Sequence, residues 1–319
     1  MTIETHIEPF EQVSNCPICQ SVSSKEVFSF EYEDNLVVEK LEIPGDAPSV
    51  SLLKCNDCGH CYSSPQIKES VFEVYYSKTN SVFYSEARLE GVDNYKLKHL
   101  SIVHKIEKLK RSGKVLDVGC GPGHFLTCFD EKKWDRFGVE PSPLAAEKAK
   151  DLPKATIVNG FLNKTTFHLK FDVIVMLDVL EHLKKPAALL ELIHFYLKED
   201  GIVVLGTGNI ESSAARLARE KWSYFCSWEH ISFITKQSAG FLLSITGFDV
   251  LRIDRMNNIS IRQVLFWRSF VQSLIGFSVQ RFPYLRQFWK KGRKVYYSFG
   301  KDHYLIVGVK KPRELELAT

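Results

Sequence analysis

The sequence predicts a doubly wound α/β fold joined to a small N-terminal metal-binding ribbon, and three observations carry that reading. Short, nearly unbroken apolar runs alternate with helical segments from Lys114 onward, a glycine-rich turn closes the first of these runs, and two C-x-x-C pairs lie upstream. A strand that is apolar at successive positions is buried on both faces, as in a parallel sheet covered by helices on each side. At 319 residues the chain exceeds one typical domain. It divides into a zinc-ribbon-like module (1–66), a helical bridge or lid (67–112), an α/β core (113–255), a basic aromatic helical insertion (256–301), and a final core strand with its tail (302–319). With 45% hydrophobic and 25% charged residues, the composition excludes wholesale disorder.

In the first module, Cys16-Pro17-Ile18-Cys19 and Cys55-Asn56-Asp57-Cys58 each offer two thiols from a tight turn. That is how paired knuckles close a tetrahedral zinc site, so Cys16, Cys19, Cys55 and Cys58 are the expected ligands. His60 and Cys61 are near enough in sequence to replace one of them, and unligated cysteines packed in a hairpin are the alternative. Eight cysteines would permit disulfides, but in a reducing compartment this spacing favours metal. Residues 27–30 and 49–54 read as strands, separated by an excursion broken at Pro44-Gly45. From Cys16 to Cys61 three lysines stand against eight acidic residues, a surface that repels phosphates. A structural or substrate-docking role is therefore expected, and nucleic acid is not.

Residues 70–111 read as helices, with Leu100, Val103, Ile106 and Leu109 recurring every third position as the apolar face. Tyr75, Tyr76, Tyr84 and Tyr95 accompany this segment and are placed either to lid a ligand pocket or to pack at an interface. The core strands follow at 115–118, 136–140, 155–158, 171–177 and 201–206. Ser142 caps a helix with Pro143 at its first position, and Pro186 opens another that ends before Gly201.

The first core strand runs into Gly119-Cys120-Gly121-Pro122-Gly123-His124, glycines that let a backbone turn pass close to a ligand. Glu140 ends the next strand 21 residues after Gly119, where a carboxylate accepts hydrogen bonds from ribose hydroxyls. Together they mark an adenosine site at the carboxyl edge of the sheet. A dinucleotide fits poorly, because the sixth position of the glycine pattern is His124 and Asp117 would face a diphosphate. A carboxylate at 117 instead suits a cationic ammonium such as the one S-adenosylmethionine carries.

Over roughly residues 95–255 and the final strand, the chain resembles the class I S-adenosylmethionine-dependent methyltransferases. The stretch from Val115 to Gly123 is similar to the family's first motif. Asp178-Val179-Leu180-Glu181-His182, and the run from His230 to Thr235 ahead of Gly247-Phe248, resemble the subgroup that modifies small molecules, quinones and sugars. The resemblance implies a seven-stranded sheet whose last strand, His303–Lys310, is antiparallel. It also implies Gly119, Gly121 and Gly123 around the methionine part of the cofactor, Asp117 near its amino group, Glu140 on the ribose, and the Asp178 region beside the reacting methyl. Cys120, Pro141 and Val179 belong to the same cofactor set. The family often has an acidic residue near the adenine; here Asn159-Gly160-Phe161 stands in its place, with Asn159 able to hydrogen-bond the base and Phe161 to pack on it.

Methyl transfer from a sulfonium chiefly requires alignment, which in well-oriented systems is worth about 7–11 kcal/mol. A hydroxyl acceptor also gains from losing its proton to a neutral histidine. His230 and His182 are the candidate bases, with Glu181 and Glu229 beside them; a structural hydrogen bond is the competing role for each. His230 is favoured because Trp222, Tyr224, Phe225 and Trp228 surround it in sequence as an aromatic loop able to exclude water.

Between residues 255 and 301 lie ten of the chain's 42 basic residues and none of its 38 acidic ones, interleaved with aromatics. This segment suits an anionic membrane surface or a phosphorylated acceptor, or else a helical subdomain or dimer face with solvated cations. No apolar stretch reaches the ~18–20 residues that cross a bilayer, and the acidic N-terminus lacks a hydrophobic signal segment. The expected location is cytoplasmic, with peripheral contact at the inner membrane face left open. The expected function is methylation of a small-molecule or glycan-precursor acceptor, at oxygen, with S-adenosylmethionine and zinc as cofactors. A sugar-type C-methyltransferase is the first alternative, since the four-cysteine module also resembles those enzymes, although they are usually longer. RNA methylation is disfavoured by the acidic ribbon and by the absence of an N/D-P-P-Y/F motif after Val175. A non-catalytic cofactor-binding scaffold is the remaining alternative.

Overall fold

Seven strands build the central sheet of the computed structural model, which describes residues 10–31, 48–71, 96–226, 229–257 and 301–311. The expectations for Tyr75, Tyr76, Tyr84, Tyr95 and Trp228, and for all but the ends of the 256–301 insertion, lie outside the described residues.

The core strands are β6 (Gly113–Val118), β7 (Trp134–Glu140), β8 (Ala155–Asn159), β9 (Phe171–Leu177), β10 (Leu197–Gly208), β12 (Phe248–Met256) and β13 (His303–Lys310). They lie in the order β12-β13-β10-β9-β6-β7-β8. The strands from β10 to β8 are parallel, and β13 is antiparallel to both of its neighbours, as the family resemblance implies. Helices α1 (Lys96–Glu107), α2 (Pro143–Lys150), α3 (Pro186–Tyr196), α4 (Ser213–Ala218) and α5 (Lys236–Ile245) connect and cover the strands.

Strand β9 shows why its sequence is apolar throughout. Val173 and Val175 enter one core with Ile102, Val103 and Ile106 of α1. Ile174 and Met176 enter the opposite core with Leu190, Ile193 and Tyr196 of α3 and Leu242 and Leu243 of α5. Each such aliphatic side chain contributes about 1.5–3 kcal/mol when fully buried.

Two local expectations shift. The buried stripe of α1 is Lys98, Ile102, Val103 and Ile106, while Leu100 remains 42% exposed and Leu109 45% exposed. A strict three-residue repeat drifts about 60° per step around a helix with 3.6 residues per turn, which carries Leu100 off the stripe of Val103 and Ile106, and Leu109 lies beyond the helix end at Glu107. Strand β10 also begins at Leu197 rather than at 201, because a bulge separates Leu197 from Ile202. Gly201 sits where a Cβ would come within 2.6 Å of the Leu197 side chain. The helix starts agree with the sequence: Ser142 Oγ accepts from Ala145 N ahead of Pro143, and Pro186 opens α3.

The N-terminal strands are β1 (Phe10–Glu11), β2 (Ser24–Glu31), β3 (Ser49–Cys55), β4 (Cys61–Ser64) and β5 (Gln66–Ile67). The ribbon β2-β3-β4 gains a fourth strand, β11 (Ser232–Phe233), from the loop between α4 and α5. One side of the ribbon, with Cys16, Ile18, Cys55, Cys58 and Tyr62, packs into the cluster that holds Ile234, Ala239 and Leu242. Its other face, with Phe30, Val50 and Leu52, packs against Ala215, Trp222, Phe225 and Phe233.

Candidate active site

In a doubly wound sheet, ligands bind outside the carboxyl ends of the strands where the strand order reverses. Here that point is the end of β6, flanked by β9 and β7. The chain turns there through Gly119, Gly121 and Gly123, with φ of 77°, 53° and 83°. A side chain at Gly119 would be strained by its φ, and its Cβ would come within 2.7 Å of Val179 Cγ2. The turn after β9 thus packs directly on the glycine turn.

Asp117 is buried one residue before the end of β6, and burial, reinforced by the charge of Glu140, pushes its carboxyl up to about 8. Glu140, at the end of β7, accepts from Gly121 N and Ser142 N, both at 2.9 Å. Burial raises its pKa against those two donors. The carboxylate therefore braces the glycine turn. Asn159 of β8 is paired with Glu140 of β7, and its Nδ2 donates to the carbonyls of Glu140 and Pro141. Phe161 follows on an open loop, 60% exposed. Cys120 is buried against Gly138, where an added Cβ would lie 2.6 Å from its Sγ, so its side chain turns into the core.

The turn after β9 carries the second half of the site. Asp178 has φ +54°, an unusual conformation for a residue other than glycine and costing about 1 kcal/mol. Its carboxylate meets Lys98 Nζ at 3.2 Å and His303 Nε2 at 3.6 Å. Desolvation acts to raise its pKa, and the neighbouring Lys98, then His303, outweigh it and hold the group at about 2. Behind it, the fully buried Glu181 accepts from Thr207 Oγ1 at 3.0 Å and from Tyr224 OH. Burial, and then the charge of Asp178, push Glu181 up to about 7. Gly208 N donates to the same phenol oxygen at 2.8 Å.

His182 and His230 come together, with ring centroids 4.8 Å apart. The Tyr224 ring lies 4.3 Å from that of His230. Burial lowers His230 to about 4; burial, then the neighbouring His230, lowers His182 to about 3. Both are neutral near pH 7. His230 Nδ1 lies 2.8 Å from the carbonyl oxygen of Tyr224, which can only accept, so Nδ1 carries the proton and Nε2 holds the free lone pair. Glu229 lies 4.0 Å from His182 Nδ1.

Lys98, Thr207 and His303 complete this cluster and were not singled out from the sequence. Lys98 had a signal, a charge four residues before Ile102 on the buried stripe of α1. His303 reaches the carboxyl edge only because β13 is antiparallel, opposite Gly208 of β10.

In the ribbon, Cys16, Cys19, Cys55 and Cys58 place their sulfur atoms within 4.8 Å of one another. Cys16 and Cys58 are 3.5 Å apart and Cys19 and Cys55 3.4 Å. A zinc tetrahedron with bonds of about 2.3 Å has edges of about 3.8 Å, so the donor set fits zinc in both type and spacing. The bond from Cys58 pulls the Cys16 thiol down to about 5, and the same bond, with burial, pushes Cys58 up. His60 turns to Ser232, with Nε2 3.3 Å from Oγ, and Cys61 packs on the far side of the ribbon, so neither joins the four. Glu181, His182 and His230 also bring ligand atoms within 4.8 Å. Both Glu181 oxygens and His230 Nδ1 are engaged by Thr207 and Tyr224, which leaves that trio poorly prepared for an ion.

The family described as "Methyltransferase domain" matches residues 93–253, half of the chain. A ubiquinone biosynthesis O-methyltransferase of Actinobacillus pleuropneumoniae serotype 7 is 33% identical over 107 residues, 30% of this chain and 46% of that protein. One from Pseudomonas aeruginosa is 30% identical over 104 residues, covering 30% of this chain and 44% of its own. The chain thus spans less than half the length of these relatives. Among solved structures, a chain of the complex between the Haloferax volcanii Trm112 methyltransferase activator and a methyltransferase aligns with a TM-score of 0.50 at 16% identity, covering 76% of this chain and 98% of its own. Magnesium protoporphyrin IX methyltransferase from Synechocystis PCC 6803 aligns with a TM-score of 0.50 at 12% identity, covering 76% of this chain and 100% of its own. At those identities the two structures speak to the fold.

Proposed function

Since the chain belongs to the class I S-adenosylmethionine-dependent methyltransferases, we propose that it transfers the methyl group of that donor to a hydroxyl of a small-molecule or glycan-precursor acceptor, with His230 as the base. S-adenosylmethionine supplies an electrophilic methyl on a sulfonium, and the residues described above suit each part of it. The glycine turn leaves room for the methionine chain, Asp117 offers a counter-charge to its ammonium once it gives up its proton, and Glu140 and Asn159 stand at the ends of β7 and β8 for ribose and base.

The observation that carries the choice of base is the fixed tautomer of His230. With Nδ1 committed to the Tyr224 carbonyl, Nε2 is free to accept the acceptor's hydroxyl proton as the oxygen attacks the methyl. Val179 packs on Gly119, and His182, three residues on, stacks edge-on against His230, so the base and the glycine turn share one wall. His182 lies against Glu229 and keeps the ring of His230 in place. The O-methyltransferase relatives support an oxygen acceptor.

The test is His230→Ala in an acceptor screen that follows S-adenosylhomocysteine release. Turnover should fall by about 10²–10⁴-fold, the usual contribution of a general base, with S-adenosylhomocysteine affinity retained. Undiminished turnover would exclude His230 from this role.

A further inference from the structure

The four-cysteine ribbon is hydrogen-bonded to the residue next to the proposed base. We propose that Ser63 and Gln66, held in place by the closed four-cysteine knuckles, are positioning residues that fix His230 in the active site. The inference rests on the reading of His230 given above.

The strand that follows His230, β11, has two residues, too few to hold its own place in a sheet. Its position is imposed from outside. Ser232 pairs with Tyr62 and Phe233 with Cys61 on β4. The carbonyl of Ile231 accepts from Ser63 N at 3.1 Å, from Gln66 Nε2 at 3.4 Å and from Ser63 Oγ at 3.5 Å. On its other side Ile231 N donates to the Glu181 carbonyl at 2.8 Å. Residue 231 is therefore pinned between the turn after β9 and the ribbon, and the side chain one residue before it is the imidazole.

The same segment continues to the second knuckle. Thr235 Oγ1 donates to the Gly59 carbonyl at 3.1 Å, Gln237 Nε2 to the Asp57 carbonyl at 3.1 Å, and His60 Nε2 meets Ser232 Oγ at 3.3 Å. The knuckle is closed by Gly59 N on the Cys55 carbonyl and by Cys55 N on the His60 carbonyl. A metal held by Cys55 and Cys58 would set the path of residues 55–60, and with it the bonds of Asp57, Gly59 and His60 to Gln237, Thr235 and Ser232. Among the described residues, the glycine turn and Glu140 bond within the core instead, to Val139, Ser142, Asn159, Gly160 and one another. Ribbon opening should thus disturb the acceptor side and spare the cofactor side.

The experiment uses the full chain, metal-loaded, chelator-stripped and reloaded with zinc, together with Gln66→Leu, which keeps the volume and removes the donor. Three quantities are read: amide exchange of residues 231–235 and of β6, the ring signal of His230 in histidine-labelled protein, and S-adenosylhomocysteine affinity. On stripping, exchange at 231–235 should rise at least tenfold and the His230 signal should move, with both restored by zinc. Exchange in β6 and affinity for S-adenosylhomocysteine should change less than threefold. Gln66→Leu should reproduce the His230 shift with the metal still bound. The proposal is overturned if 231–235 stays protected while 55–64 opens, or if cofactor affinity is lost in step with the metal, which would make the ribbon a global stability element. Stripping needs no variant, so a Gln66→Leu chain that does not fold leaves the test standing. A loaded wild-type protein that takes up no S-adenosylhomocysteine would instead strike the proposed function itself.

Discussion

Asp117 holds a carboxyl that its surroundings keep protonated at neutral pH, yet its proposed partner is an ammonium. Only the ionised form attracts that cation, and the ionised fraction falls as pH drops through about 8. Binding must therefore release a proton, and affinity must weaken toward acid. We expect the Kd for S-adenosylhomocysteine to rise by about tenfold per pH unit between pH 7.5 and 6, with a calorimetric heat that depends on the buffer's ionisation enthalpy. Asp117→Asn should bind about 10–100-fold more weakly at pH 8, the worth of one charged hydrogen bond, and lose the pH slope. A wild-type affinity flat over that range would remove Asp117 from contact with the amino group. Asp117 and Glu140 were legible because a glycine turn and the ends of consecutive strands are local features of sequence. Lys98 and His303, which set the charge of Asp178, were not, since 80 and 125 residues separate them from it and only the closed sheet brings them near.

Among the elements, α5 shows how a local signal can serve a distant contact. Thr235 caps it in a reciprocal arrangement with Ser238, each side chain accepting from the other's backbone N–H. Thr235 Oγ1 also reaches the Gly59 carbonyl, so a single hydroxyl starts the helix and ties it to the second knuckle. Thr235→Ala should cost about 1–2 kcal/mol in urea unfolding, the usual worth of a cap. Thr235→Ser should recover most of that loss; equal losses for both would show that the methyl packing matters instead. Helix starts at Ser142 and Pro186 were readable because capping chemistry is local. The facing of α1 was not, because a three-residue repeat does not follow one face of a helix with 3.6 residues per turn. Strand β11 was also out of reach: two residues carry no periodicity, and β4 alone makes them a strand.

For the whole molecule, the parallel sheet could be read from its apolar runs, and the clustering of Cys16, Cys19, Cys55 and Cys58 from their spacing, because both depend on patterns within short windows. How the two parts join could not, since the ribbon and the core share a sheet and two apolar clusters through residues about 170 positions apart. The family match begins at residue 93, which suggests a natural cut, but the structure argues against one. Without the ribbon, β11 would present an unpaired edge, and Ile231, Phe233, Phe225 and Trp222 would lose the face they bury against Phe30, Val50 and Leu52. An open strand edge beside a contiguous apolar patch is a template for self-association. A chain of residues 93–319 should therefore form large species in light scattering, at protein concentrations where the full chain remains a defined species. It should still bind S-adenosylhomocysteine, because the glycine turn, Asp117 and Glu140 take their support from β6, β7 and β9. A well-behaved truncated chain would show that the ribbon is an appendage, and the shared sheet would then have to be explained by something other than stability.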